Sequence, residues 1–513
     1  MKFRYLLLMI VIVGGLLRVY RIDQKGFWLD EMLTLLRITE GFAVEGTVKG
    51  TPIVPSARLD AEVITIPTQQ IWAVNPWALS PPFYYFLLKG WISLVGGGDG
   101  AVRSLSALLS ILTIPIGFLV ARQLGGLAAG LIMAMLLATS PINLYYAQEN
   151  RNYALLILLV LLSYYGLLRF RNGPDRVGQA IYTLATAAAL YTHYFACWIL
   201  VAQALYVVLQ KDRKFAAQWI TSALVSGILF LPWVPRALVE WAYGPKQLWL
   251  YEQQPSWTLL LKAMALPAFQ PFSSGFFLTY QIMLKIAHRL LLQFAGFALG
   301  WIMVRRKFPE TIALLGSWMF VPIAALLVLD LMTGSNFLKF TRYTVMINPA
   351  VYLMLSLAVI VPAKRWSMLL LCLLLAVNIN GMARYYKQSY KVSEWKETAA
   401  YINAKTGRGD LILIYNPSPG YDWVLPSSLA LLARYLPFQE RSFILVDESC
   451  RPQAITQANP WDHLAVLTAY SQVLPAWVTE LYIARDQATF SGIGTVWILQ
   501  KRNRHGSSPL NRS

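Results

Sequence analysis

Asp30 and Glu31 stand side by side in FWLDEMLTLL (27–36), just beyond the first apolar run of the chain. At the edge of a membrane, among aromatic and aliphatic neighbours, a carboxylate loses hydration and becomes a better base. A second polar knot, Gln148, Glu149, Asn150, Arg151 and Asn152, interrupts SPINLYYAQENRNYALLILL (140–159). The helix after it offers free N–H groups and the positive end of its dipole, which favour an anion. Arg151 adds a planar donor fork that matches phosphate oxygens. Lys339 and Arg342 in KFTRYTVMINP have a spacing suited to clamping a lipid phosphate, and His193 in YTHYFA is a further candidate, for acceptor or metal.

Each of these has a structural alternative. Acids are favoured in the first turn of any helix. Arg151 can pair with Glu149 or reach to headgroups. Lys339 and Arg342 can anchor a span beside Tyr343, and His193 can be a buried, satisfied side chain. Pro81 and Pro82 in SPPFYY read as the start of a helix, where a missing N–H costs nothing.

These residues can share a reaction only if the elements carrying them open on one side. The 513 residues are 57% hydrophobic and 13% charged, with mean hydropathy +0.49. Soluble domains are about one-quarter charged, so the composition predicts a polytopic helical membrane protein. Apolar runs at 5–20, 104–121, 127–142, 152–168, 178–192, 194–209, 215–233, 286–304, 312–332, 345–361 and 366–381 predict about eleven spans. With Lys2 and Arg4 cytoplasmic, and 82–95 lying in the interface, the basic clusters in short loops all fall inside. The external loops 21–81 and 234–285, the knot, His193 and Arg342 then share the extracytoplasmic face. So does the region from 384 onward, where an amphipathic helix (Trp395, Ala399, Ile402) precedes strands at LILIY, RSFILV (441–446) and GTVWILQK (494–501). The expected organisation is a transmembrane module over 1–383, a small extracytoplasmic α/β domain over 384–502 and a disordered end at 503–513. NPSPG (416–420) reads as a turn.

The net charge of +19, from 44 basic and 25 acidic residues, follows the positive-inside rule. No basic stripe with interleaved aromatics suggests a nucleic-acid partner. Three cysteines build neither a disulfide framework nor a metal set. MKFRYLLLMIVIVGGLL has no small-residue cleavage site after it and reads as a retained first helix. An acid pair, two phosphate-capable arginine sites and a lipid boundary suit transfer of a group from a lipid phosphate. A carboxylate takes the acceptor proton and cations stabilise the departing phosphate, so no second carboxyl acid is needed.

WLDEMLTLL, SPPFYYFLLKGW, VRSLSALLS, SPINLYYAQENRNYALLILL, YTHYF and TRYTVMINPAVYL occur in an order that resembles the GT-C type membrane glycosyltransferases. The resemblance, over residues 1–360, is to the family 39, protein-mannosyltransferase-like branch that includes the bacterial lipid A aminoarabinose transferases. It implies a GT-C fold, a polyprenyl-phosphate-sugar donor and a lipid, glycan or protein acceptor. It also implies an inverting, metal-optional mechanism outside a bacterial inner membrane. By position, Asp30 is the base with Glu31 in support. Gln148, Glu149 and Arg151 lie at the donor, and Arg342 matches the arginine before the later span. Ser80 stands where many relatives have the histidine of His-Pro-Pro. The rival reading, a transporter or flippase of lipid-linked sugars, calls for ionisable residues in mid-span and inverted repeats.

Overall fold

The structure, a computed structural model, describes residues 2–38, 52–53, 80–171, 173–243, 256–273, 287–388, 392–407, 410–416, 424–436, 442–446, 461–469 and 471–502. Residues 503–513, most of NPSPG and large parts of the two long external loops lie outside the described residues.

The described residues group into two compact units. The first takes Met1–Ile22, Ile71–Trp91 and Gly100–Gln388; the second takes Asp23–Gln70, Ile92–Asp99 and Ser389–Ser513. The second unit is therefore assembled from three pieces of sequence, where a single cut after residue 383 was expected.

In chain order the helices are α1 (Lys2–Val19), α2 (Leu29–Leu36), α3 (Phe83–Val95), α4 (Asp99–Ala138), α5 (Pro141–Ala147) and α6 (Tyr153–Phe170). Next come α7 (Arg176–Leu190), α8 (Ala196–Gln210), α9 (Arg213–Phe230), α10 (Val234–Tyr243) and α11 (Ser256–Phe269). α12 (Ala287–Lys307), α13 (Pro309–Thr333), α14 (Asn348–Val359) and α15 (Lys364–Lys387) complete the bundle. All eleven apolar runs fall on these helices. Among the described residues five helical stretches are long and apolar enough to cross a membrane: α4, α6, Arg213–Glu240, α13 and α15. The protein is a multi-pass helical membrane protein.

The expected span 104–121 and most of 127–142 form one helical stretch, Asp99–Ala138, with a joint at Gly126 (φ 75°, ψ −167°), a backbone geometry that glycine adopts without steric cost. Where α6 meets α7 the backbones nearly touch. A Cβ on Gly166 would stand 2.7 Å from the Gly178 carbonyl oxygen and from the Tyr182 nitrogen. Small residues allow such close approach in membrane bundles.

The second unit holds a six-stranded sheet of β1 (Pro52–Ile53), β2 (Leu411–Tyr415), β3 (Ser442–Val446), β4 (His463–Ala469), β5 (Tyr482–Phe490) and β6 (Gly494–Lys501). The strand order is β1-β3-β2-β4-β6-β5. β2 runs parallel to β3 and β4, and the other pairings are antiparallel. Every residue of β2 is buried, as a central parallel strand covered on both faces requires. α16 (Trp395–Lys405) buries Trp395, Ala399 and Ile402, the face expected from its periodicity. α17 (Val424–Tyr435) and α18 (Ala476–Leu481) complete the α/β tail.

Candidate functional site

The acid pair belongs to the second unit. α2 begins after Trp28, which gives no side-chain cap, so Asp30 and Glu31 in its first turn supply the negative charge that a helix N-terminus favours. Glu31 is buried and Asp30 half-buried. Thr34 donates its hydroxyl to the Asp30 carbonyl at 2.9 Å. Within the same unit α2 packs on α17, and a polar network fixes the residue just before it. The Phe27 N–H donates to the Tyr435 hydroxyl at 2.6 Å, and that hydroxyl donates to Asp99 at 2.7 Å. The Arg434 guanidinium bonds the other Asp99 oxygen at 2.6 Å and lies 4.3 Å from the Phe27 ring. Asp99, Arg434 and Tyr435 carry no local sequence signal, because more than 330 positions separate the acid from its partners.

The polar knot belongs to the first unit. Ser140 caps α5 by accepting from the Asn143 N–H at 3.1 Å, with Pro141 at the first helical position. α5 ends at Ala147 and α6 starts at Tyr153, so residues 148–152 form a tight corner between two helices. The corner is tied from several directions. Gln148 donates to the carbonyls of Arg18 (2.9 Å) and Tyr20 (2.8 Å) and accepts from the Tyr385 hydroxyl (2.9 Å). Its carboxamide thus joins three segments and braces the corner that carries Arg151. Asn150 accepts from the Tyr84 hydroxyl at 3.2 Å. Asn152 donates to the Thr192 carbonyl at 2.6 Å, which sets the knot beside His193. Glu149 is fully buried, and Arg151 keeps partial exposure with its guanidinium 5.8 Å from the Tyr153 ring.

His193 occupies the turn between α7 and α8. Its Nδ1 accepts from the Phe195 N–H at 3.1 Å, so the neutral ring carries its proton on Nε2. Burial first, then the positive charges of Arg151 and Arg342, push its pKa down to about 3. Two arginines distant in sequence flank the imidazole through its neighbouring rings, Arg151 against Tyr153 at 5.8 Å and Arg342 against Tyr343 at 5.0 Å. The ring lies 6.1 Å from Tyr153 and 6.2 Å from Tyr343. Phe83 donates its N–H to the Tyr191 carbonyl at 3.0 Å, so the segment after Ser80, itself buried, meets the same turn.

Arg342 sits in a 3-10 turn, Thr341–Tyr343, and is 5% exposed. Its guanidinium lies 4.9 Å from the Phe340 ring and 5.0 Å from the Tyr343 ring. Lys339 is half-buried, its ammonium 5.9 Å from Phe340. The Tyr146 and Thr341 hydroxyls bond at 3.1 Å. Burial, together with the Glu149 charge, holds the Tyr146 phenol well above its ordinary range. The Tyr-Tyr doublet of NLYYAQENR was the visible trace of this aromatic wall.

Arg151, Arg342 and a neutral imidazole N–H therefore converge within the first unit on a buried setting lined by Tyr153, Phe340 and Tyr343. Guanidinium groups brought together in a low-dielectric environment are stabilised by an anion. Among the described residues no group of three or more His, Cys, Asp or Glu side chains is placed to hold a metal.

The fold is shared with solved structures, and part of the sequence matches a known family. Residues 80–235 match the family described as dolichyl-phosphate-mannose-protein mannosyltransferase. The fold is similar to that of ArnT from Cupriavidus metallidurans bound to undecaprenyl phosphate, with TM-score 0.57 and 14% identity over 98% of this chain and 99% of that one. The same protein in its apo state matches with TM-score 0.57 and 14% identity, over 96% of this chain and 97% of that one. An Archaeoglobus fulgidus oligosaccharyltransferase tethered to an acceptor peptide matches with TM-score 0.53 and 12% identity, over 91% of this chain and 69% of that one. No curated protein matches the sequence.

Proposed function

We propose that the protein is an inverting glycosyltransferase that moves a hexose or pentose from a polyprenyl-phosphate donor to an extracytoplasmic lipid, glycan or protein acceptor. The observation that carries this reading is the placement of Arg151 against Tyr153 and of Arg342 against Tyr343, the two rings that adjoin His193. The two guanidiniums bind the donor phosphate and stabilise its growing charge as the sugar leaves, with the Nε2–H of neutral His193 as a third donor. Glu149 and Gln148 hold the corner, and Lys339 supplies long-range attraction. Asp30 takes the proton of the acceptor hydroxyl, and Glu31, in the same turn, supports it. The family match over 80–235 and the likeness to a protein solved with undecaprenyl phosphate favour the donor class. We place the protein in a bacterial inner membrane with its N-terminus cytoplasmic and its site and tail outside.

The test is turnover of radiolabelled polyprenyl-phosphate sugars by the purified protein in lipid, alongside equilibrium binding of decyl phosphate. Asp30→Asn loses turnover and keeps decyl phosphate affinity; Arg342→Gln weakens both. An Asp30→Asn enzyme with wild-type turnover removes the base, and unchanged decyl phosphate binding in Arg342→Gln removes the phosphate site.

A further inference from the structure

Arg342 lies in a single 3-10 turn, and a turn that short does not fix the direction of a side chain by itself. Gln270 spans it. Its Nε2 donates to the Thr341 carbonyl at 2.7 Å, and its Oε1 accepts from the Thr344 hydroxyl at 2.7 Å. Gln270, Thr341 and Thr344 are all fully buried. Few side chains can do this, since one end must donate while the other accepts, and a carboxamide has both. A glutamate would set an oxygen against the Thr341 carbonyl, and a leucine would remove both short bonds, leaving that carbonyl and hydroxyl only the longer contacts they make within the turn, from the Thr344 N–H and hydroxyl at 3.3 Å. The helix that ends just before Gln270 takes a second hold on the same loop, where Lys262 donates to the Asn336 side chain at 3.1 Å. Asp330 takes a third, accepting from Ser335, Phe337 and Leu338 at 2.8, 2.8 and 3.0 Å. Gln270 thus bonds both the residue before Arg342 and the residue that closes its turn.

We propose that Gln270 is the positioning residue of Arg342, and that the segment 256–272 thereby sets phosphate affinity without touching the ligand. The proposal rests on the phosphate reading above. A misplacement of about 1 Å costs on the order of a hundredfold in rate where catalytic geometry is critical, and affinity is less demanding of geometry than rate. Because Gln270 supports the turn and leaves the arginine in place, a loss of about tenfold in phosphate affinity is expected.

The experiment compares decyl phosphate with decanol, binding to the full-length protein in lipid nanodiscs, for wild type, Gln270→Leu, Gln270→Glu, Thr344→Val and Arg342→Gln. Gln270→Leu and Gln270→Glu lose about tenfold for decyl phosphate and bind decanol as wild type does. Thr344→Val, which removes one of the two bonds, loses less. Equal losses for decyl phosphate and decanol would make Gln270 a general packing residue and overturn the proposal. Wild-type decyl phosphate affinity in both Gln270 variants, with Arg342→Gln impaired, would overturn it and leave the phosphate site standing. An Arg342→Gln protein that binds decyl phosphate normally would remove the site itself, and the proposal with it.

Discussion

Acidification offers a direct measure of the charge around His193. In the folded chain its pKa is pushed from 6.5 down to about 3, whereas in the unfolded chain it titrates near 6.5. Below pH 6.5 the unfolded chain takes up a proton that the folded one refuses, so stability falls as pH drops from 6.5 toward 3. Between pH 7 and 5.5 this one residue withdraws about 1.2 kcal/mol, and each further unit above pH 3 withdraws about 1.4 kcal/mol. The perturbation is His193→Gln, which removes the titrating group, and the readout is unfolding of wild type and variant in the same detergent at both pH values. Wild type loses about 1 kcal/mol more than the variant over that interval. The chain has four histidines, so in histidine-labelled protein the resonance missing from the variant assigns His193. That resonance stays unprotonated throughout pH 5–8. In Arg151→Gln and in Arg342→Gln its pKa rises, yet remains below 6.5, because burial is the first cause of the depression. A His193 that titrates near 6.5 in wild type, or that ignores both arginine variants, would refute the cluster.

Gly166→Ala drives a methyl into the Gly178 carbonyl and the Tyr182 nitrogen, both backbone atoms, and is expected to cost about 1–3 kcal/mol, seen as a lower melting temperature; Gly227→Ala, with open space around its Cβ position, serves as the control. Arg434→Met leaves the half-buried Asp99 carboxylate without its guanidinium partner, which costs about 3 kcal/mol. It is expected to loosen the anchorage of α2, lower turnover and spare decyl phosphate affinity, as measured by protease sensitivity, kinetics and binding.

Periodicity found what periodicity governs. The apolar runs fall on helices, and Trp395, Ala399 and Ile402 share the buried face of α16 because 3.6-residue spacing puts them there. β2 and β3 were visible as short β-branched runs, while β5 was not. YIARDQATF is an edge strand with mostly exposed side chains, and its polar residues suit that edge. Gln148 and Arg151 are three positions apart in one knot and look alike to a sequence reader. What separates them is the set of carbonyls and the hydroxyl that surround Gln148, contributed by residues 18, 20 and 385. Gln270 was invisible for the same reason: its partners lie more than 70 residues away, and a lone glutamine in a loop announces nothing.

The bond from Phe27 to Tyr435 bears on how the chain can be dissected. Removing the tail beyond residue 388 would strip away the surface on which α2 rests, so a truncated core would retain Asp30 in sequence but lose its support. Nor is the tail portable as one contiguous block. A chimera that exchanges it between relatives would have to carry residues 23–38 and 92–99 with it, or the grafted Arg434 and Tyr435 would meet a foreign Asp99 and Phe27.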